Sequence, residues 1–388
     1  GTIPQSVPTG TRLRIKVDNE ISSTFIVSDD VYTMAKDASL KFFGIQRSGN
    51  SESWFHGPSH QKDGGGKLVN LVTGNAVTDT TYLKEGDLQG GWYDCGDHLK
   101  ESQSQAFSFM ALAVMSATNP SKDVDHYAYN QGEFEKTDGI PDILREAKHG
   151  ADFFLRAYRV ANGVIDKMPV SIGNYNYDHG YWGRPEVQDN IAITGRGGAD
   201  ERDVRLGELG SNVSAEIAAG LAILGKDYAK YDSAFADSCL MVAEKMYEFA
   251  RNLELKTWNR GGPGTYDGGK PYVHNIKAES WATPAYNGNS TSYDDLSVAA
   301  IALHYATYET TKKMDYLDDA AKDTIGKWMT WESFGLRKMG QNTDWTSTQI
   351  YALYAFYKLL LKDSTTSTKY GISASDRLKY IEKVIDLL

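Results

Sequence analysis

The sequence predicts an all-α fold, an (α/α)6 barrel of inner and outer helices, preceded by a short β segment. Three observations predict it. Beyond residue 28 the helical segments alternate between amphipathic ones and ones that are apolar on every side. An all-round apolar helix must be covered on all sides, whereas an amphipathic one can stand outside it with one face in water, so strict alternation implies two concentric layers. No apolar run approaches the length of a membrane span. The first 28 residues, by contrast, alternate apolar and polar with the period of strands.

In chain order, residues 11–17 and 23–27 read as strands joined by a turn at Asp18-Asn19-Glu20. A lone hairpin is marginal, so residues 1–28 are expected to end an upstream β-sandwich or to form an arm, with one main domain over 29–388. Residues 30–43 form an amphipathic helix and 106–117 an apolar one. Residues 143–158 are amphipathic again, with Ile143, Leu144, Ala147, Ala151, Phe154 and Leu155 on one face and Arg145, Glu146, Lys148 and Asp152 on the other. Residues 215–224 are apolar, 235–251 amphipathic, 296–305 apolar, 314–329 amphipathic and 350–361 apolar. Leu378, Ile381, Ile385 and Leu388 mark a last amphipathic stripe. This gives five outer and four inner helices, where a closed double ring needs six of each. The connections 44–100, 162–212 and 252–294, rich in Gly, Asn and Tyr, precede inner helices and are where a cleft would be assembled.

The net charge of −10 argues against nucleic acid or an anionic membrane as partner, since both require a basic face. A neutral polymer fits better, and 24 Tyr and 8 Trp suffice to line a cleft in which rings stack on sugars. Cys95 and Cys239 are the only cysteines, too few for a disulfide framework or a Cys-rich zinc site. His56 and His60 lack a third ligand nearby in sequence, so zinc is not expected.

The most telling stretch is Gly90-Gly91-Trp92-Tyr93-Asp94-Cys95-Gly96-Asp97-His98, with two carboxylates three residues apart. It lies shortly before the apolar helix at 106–117, where free N–H groups favour an ionised carboxylate, as a general base requires. A helix cap and a turn former would account for a lone pair of Asp residues. Trp92, Tyr93 and three glycines crowding the same loop point instead to a sugar-cleaving cleft.

This loop resembles the signature of glycoside hydrolase family 9 cellulases, with Cys95 where the family usually carries Ala. Residues 138–144, 179–186, 211–219 and 290–296 resemble further family segments in the same order, and the resemblance spans roughly residues 24–388. It implies a secreted, inverting, endo-acting β-1,4-glucanase that needs no cofactor for its chemistry. Asp97 is then the base and Asp94 helps hold the attacking water. Trp92, Tyr93, His98, His179, Trp182 and Trp345 are expected on the substrate. Relatives of this kind often carry an immunoglobulin-like module upstream. Ser290, Thr291, Asp294 and Asp295 form a polar loop in which oxygen ligands for calcium would converge, or else an acidic helix start.

The family's catalytic acid is a Glu in a late Asn-Glu segment, and none matches here; residues 380–388 resemble the helix just ahead of the family's last motifs. The expectation is therefore a barrel whose C-terminal part, acid included, lies beyond Leu388. The alternative is a carbohydrate-binding remnant or pseudoenzyme that uses Trp92, Trp182 and Trp345 without chemistry.

Overall fold

The computed structural model describes residues 7–50, 56–66, 68–70, 84–126, 137–174, 177–178, 180–189, 202–206, 209–259, 265–266, 270–271, 293–312, 315–322 and 348–360. The chain divides into two compact units, residues 1–43 and 44–388.

In the first unit, β1 (Arg12–Leu13) pairs antiparallel with β4 (Phe25–Ile26), and β2 (Lys16–Val17) with β3 (Glu20–Ile21). The inner hairpin turns at Asp18, whose φ of 52° is a conformation Asp tolerates better than most residues. Helix α1 (Val31–Ile45) follows, in agreement with the amphipathic stretch at 30–43.

The second unit contains β5 (Leu68–Asn70), β6 (Lys100–Glu101), α2 (Ser102–Thr118), α3 (Asp142–Val160), β7 (Pro169–Ile172), α4 (Pro185–Gln188) and β8 (Val204–Leu206). Then come α5 (Ser211–Asp227), α6 (Ser233–Asn259), the small pair β9 (Thr265–Tyr266) and β10 (Lys270–Pro271), α7 (Tyr293–Thr311) and α8 (Asp315–Lys322). Helix α9 (Gln349–Ala355) widens into a π-helical turn at Phe356–Leu360.

The alternation read from sequence is the alternation of burial. Ala106, Phe109, Met110 and Ala113 of α2 and Val213, Ile217, Leu221 and Leu224 of α5 have no exposed surface. Helix α5 packs against α2, α6 and α7, and α9 packs against both α7 and α2. Phe107 meets Tyr351 edge-on at 5.8 Å, and the Tyr354 hydroxyl donates to Asn119 Oδ1 at 3.0 Å. Each apolar helix thus has apolar neighbours on two sides, including α9, whose second flank the helix count from sequence left open.

Two features differ from the expectation, and a third, the cap of α3, adds to it. Half of the polar face of α3 is not solvated: Arg145 and Glu146 are buried, Glu146 pairing with Arg47 at 2.7 Å and accepting the indole N–H of Trp92 at 2.8 Å, while Lys148 and Asp152 keep exposed surface. The start of α3 is capped from outside the helix, Asp123 accepting the N–H groups of Ile143 and Leu144 at 2.8 and 3.1 Å. The other difference is a four-stranded sheet in the order β5-β8-β7-β6, parallel between β5 and β8 and antiparallel elsewhere. It pairs Lys100 with Ile172 and Ile172 with Val204, and the Ser102 hydroxyl at the head of α2 donates to the Pro169 carbonyl at 2.7 Å. The stripe at 378–388 and half of 314–329 lie outside the described residues. Among the described residues no helix is long and apolar enough to cross a membrane.

Gly220 lets α5 approach α2, since a Cβ there would stand 2.7 Å from Phe109 Cζ. Gly220→Ala should therefore destabilise by roughly 1–3 kcal/mol through overpacking, despite the better helix propensity of Ala. Urea unfolding measures this, and an unchanged midpoint would mean that Phe109 moves aside freely.

Candidate active site

The loop from Leu88 to Leu99 is built on two consecutive glycines, Gly90 and Gly91, at φ of 93° and 74°, a region costly to other residues. The Gly91 carbonyl accepts from Ser48 N–H and from His149 Nε2, both at 2.9 Å. Trp92 N–H donates to Gln105 Oε1 at 2.9 Å and Tyr93 N–H to the Gln46 carbonyl at 2.8 Å. Asp94 N–H donates to the Leu99 carbonyl at 2.8 Å and closes the turn that carries the acids.

Within that turn Asp97 has no exposed surface, while Asp94 is half-buried. Asp97 Oδ1 accepts from Leu99 N–H at 2.9 Å, and Oδ2 accepts from the Cys95 thiol at 3.0 Å. One oxygen each of Asp94 and Asp97 and the Cys95 sulfur lie within 4.8 Å of one another. The sequence put this pair at the mouth of the core helix. In the structure β6 intervenes and α2 begins only at Ser102, so the hydrogen bonds just named come from the loop itself.

Beneath the loop is a buried ion network that sequence reading missed. Asp63 accepts from Arg202 Nε on Oδ1 at 2.7 Å and pairs with Lys100 Nζ through Oδ2 at 2.6 Å. Lys100 also donates to the carbonyls of Leu88 and Gly90, at 2.8 and 2.9 Å. Arg202 donates through Nη2 to the His98 carbonyl at 2.6 Å and pairs with Asp178 at 3.2 Å. Burial outweighs Asp63 at Lys100 and pulls its amine down to about 8. At Arg202 the nearby Asp63 and Asp178 outweigh burial and push the guanidinium further up.

Beside the acids lies a histidine and tyrosine layer around a cavity of about 310 Å³ lined by His56, Tyr93, Cys95, Gly96, His98 and Arg184, among others. Burial holds His60 well below its ordinary value, so its ring is neutral. The neutral ring sets the direction of a chain: the Ser59 hydroxyl donates to Tyr93 Oη and Tyr93 donates to His60 Nδ1, both at 2.6 Å, leaving His60 Nε2 to donate to Asp189 at 3.3 Å. His98 contacts Gln188 Oε1 at 2.5 Å and the Gly183 carbonyl at 3.1 Å. That carbonyl belongs to the residue after Trp182, so His98 ties the acid loop to the tryptophan loop.

The expected substrate residues separate. Trp182 is 67% exposed and its ring lies over the acid loop, where a Cβ on Gly96 would stand 2.7 Å from Trp182 Cε3. Trp92 is corrected to a core residue, 3% exposed and hydrogen-bonded to Glu146, so its indole is not a sugar platform. Tyr93 and His98 are buried as well and reach the site only as lining of the cavity. His179, Trp345, Ser290 and Thr291 lie outside the described residues. Asp294 and Asp295 open α7 and both bind Thr348, Asp294 through the backbone N–H at 2.9 Å and Asp295 through the hydroxyl at 2.8 Å. Burial pushes the Asp294 carboxyl up to about 6.

Asp63→Asn should leave Lys100 and Arg202 short of counter-charge in the interior and cost about 3–5 kcal/mol, read by denaturant unfolding. A loss below about 1 kcal/mol would show the network to be dispensable. The Lys100 amine, at about 8 when folded, gives a second readout. Between roughly pH 8 and 10.4 the unfolded chain binds more protons at this residue, so stability should rise with pH across that window and rise less in Lys100→Met.

Comparison with known proteins bears on the family and the fold. The family described as Glycosyl hydrolase family 9 matches residues 32–385. Endoglucanase 4 of Bacillus sp. (strain KSM-522) is 27% identical over 90% of this chain, and Endoglucanase 16 of Arabidopsis thaliana 27% over 82%. The chain spans only 44% of the first relative and 52% of the second. Among solved structures, the GH9 protein of Bacteroides ovatus aligns at TM-score 0.63 with 18% identity, covering 97% of this chain and 61% of that one. The cellulase Cel9M of C. cellulolyticum, solved also in complex with cellobiose, aligns at 0.54 with 20% identity, over 91% and 65%. These likenesses establish the helical fold, and the sequence match over most of its length establishes that the chain belongs to glycosyl hydrolase family 9.

Proposed function

We propose that this chain carries the water-activating half of an inverting endo-β-1,4-glucanase that acts on cellulose or a related β-glucan outside the cell. The observation that carries this reading is the buried Asp97 beside the half-buried Asp94, on a turn roofed by the exposed indole of Trp182. An inverting site needs a carboxylate that takes a proton from water on one face of the sugar ring and a carboxylic acid that protonates the leaving oxygen on the other. Asp97 is the base, and Asp94 orients the water. Trp182 offers its apolar face to a pyranose ring. We assign the acid to none of the described residues.

A substrate whose leaving group needs no proton isolates the base. β-Cellobiosyl fluoride should be hydrolysed by the protein with release of the α-anomer, visible by NMR, and Asp97→Asn should slow that release by about 10²–10⁴-fold. A β-anomeric first product, or an undiminished rate in the variant, would overturn the assignment. If wild type binds oligosaccharide and leaves the fluoride intact, the chain is a binding remnant. Trp182→Ala should weaken cello-oligosaccharide binding by roughly 1–3 kcal/mol by calorimetry, and unchanged affinity would remove Trp182 from the cleft.

We also propose a structural calcium ion at Asp294 and Asp295. Near them Glu216 on α5 is fully buried, and neither of its carboxylate oxygens has a hydrogen-bond partner among the described residues. Burial, then Asp295 and Asp294, push it well above the carboxylate range. Calcium should raise the melting temperature of the wild type and not that of Asp295→Asn, followed by calorimetry.

A further inference from the structure

We propose that Cys95 is a positioning residue for Asp97, its thiol proton holding Oδ2 while the Leu99 N–H holds Oδ1. The inference rests on the reading of Asp97 as the base, and adds a residue to it. A carboxylate tied through one oxygen still turns about its Cβ–Cγ bond, because that torsion is broad and two-fold. Here the two oxygens are taken by different donors on one turn, Leu99 N–H at 2.9 Å and Cys95 Sγ at 3.0 Å. The plane of the carboxylate is fixed by the pair. The turn itself is closed by Asp94 N–H on the Leu99 carbonyl at 2.8 Å, so both donors keep their places relative to the acid.

A hydrogen bond to the charged form of an acid favours that form, so the thiol keeps Asp97 ready to accept a proton from water while lowering its affinity for one. The coupling is reciprocal, and a thiol that donates to a carboxylate is harder to ionise. The Cys95 thiol is pushed up to about 11, by burial first and by Asp97 next, with Asp94 adding in the same sense. The other titratable groups around the adjoining cavity are His56, His98, Tyr93 and Arg184. Cys95 is nevertheless exposed enough to meet a reagent, whereas Cys239 is buried and serves as a silent control.

Two measurements test this. In the first, the pH dependence of Cys95 alkylation by iodoacetamide is followed by mass spectrometry; the thiolate displaces iodide, so the rate reports the thiolate fraction. The inflection should lie near 11 in the wild type and fall toward the ordinary thiol value in Asp97→Asn. In the second, the acidic limb of kcat/KM on β-cellobiosyl fluoride should move to higher pH by about one unit in Cys95→Ala and return in Cys95→Ser, which keeps a donor. A purely structural cysteine would change the rate without moving the limb. An alkylation inflection identical in wild type and Asp97→Asn overturns the proposal. So does an acidic limb unmoved in Cys95→Ala. A protein that leaves the fluoride intact refutes the base reading, and the alkylation arm then still decides whether the thiol and the carboxylate are bonded.

Discussion

Asp63 shares its two oxygens between Arg202 and Lys100, and the acid loop hangs from that arrangement. The two cations hold opposite ends of the loop, Lys100 the carbonyls of Leu88 and Gly90 and Arg202 the carbonyl of His98. Three distant stretches of chain meet there, and the sheet is what brings two of them together, because β6 carries Lys100 and β8 follows Arg202. A buried ion cluster is a poor source of net stability, since desolvation cancels most of the Coulomb attraction. Its contribution is geometric. With carbonyls and carboxylates on all sides, neither cation can leave its place without abandoning a buried partner, and Asp97 inherits that rigidity through the turn between Gly90 and His98.

The helices were legible because their signal is local. A segment such as 215–224, apolar apart from Glu216, needs no knowledge of its neighbours to be placed inside, and α5 has no exposed side chain along that run. The sheet was not legible, since β5, β6 and β8 are two or three residues long and no period can be read over so few. The β5–β8 pairing joins positions more than a hundred residues apart, such as Leu68 and Val204. The polar face of α3 failed for the same reason. Glu146 reads as solvated by its spacing, and only the arrival of Arg47 and Trp92 from another part of the chain makes it an interior residue.

The two tryptophans of the site show where composition stops being informative. Trp92 sits in the motif itself, two residues before Asp94, yet its indole N–H is spent on Glu146 and its ring packs where Gly150 makes room. Trp182 is remote in sequence and reaches the acids because Gly96 has no side chain to hold it off. The signal that separates them is glycine placement rather than distance along the chain. Gly150 gives room to a ring that is buried, and Gly96 gives room to a ring that stays open to solvent. Neither is distinguishable from a turn glycine until the partner ring is known.

For catalysis, the site divides into a fixed part and a part that can adjust. The acid turn leads directly into β6 and α2, so Asp97 is carried by well-buried elements. The tryptophan loop is carried by short α4 and joined to the acid loop through His98, whose two ring nitrogens face Gln188 and the Gly183 carbonyl. Two acceptors facing one imidazole favour the charged ring, while burial, the larger effect, favours the neutral one and lowers His98 from its usual value. A neutral imidazole carries one N–H, so it satisfies one of those contacts fully and the other poorly. The link between base and platform is thus the weaker joint of the site, and a sugar ring settling on Trp182 can adjust there without disturbing the carboxylates below.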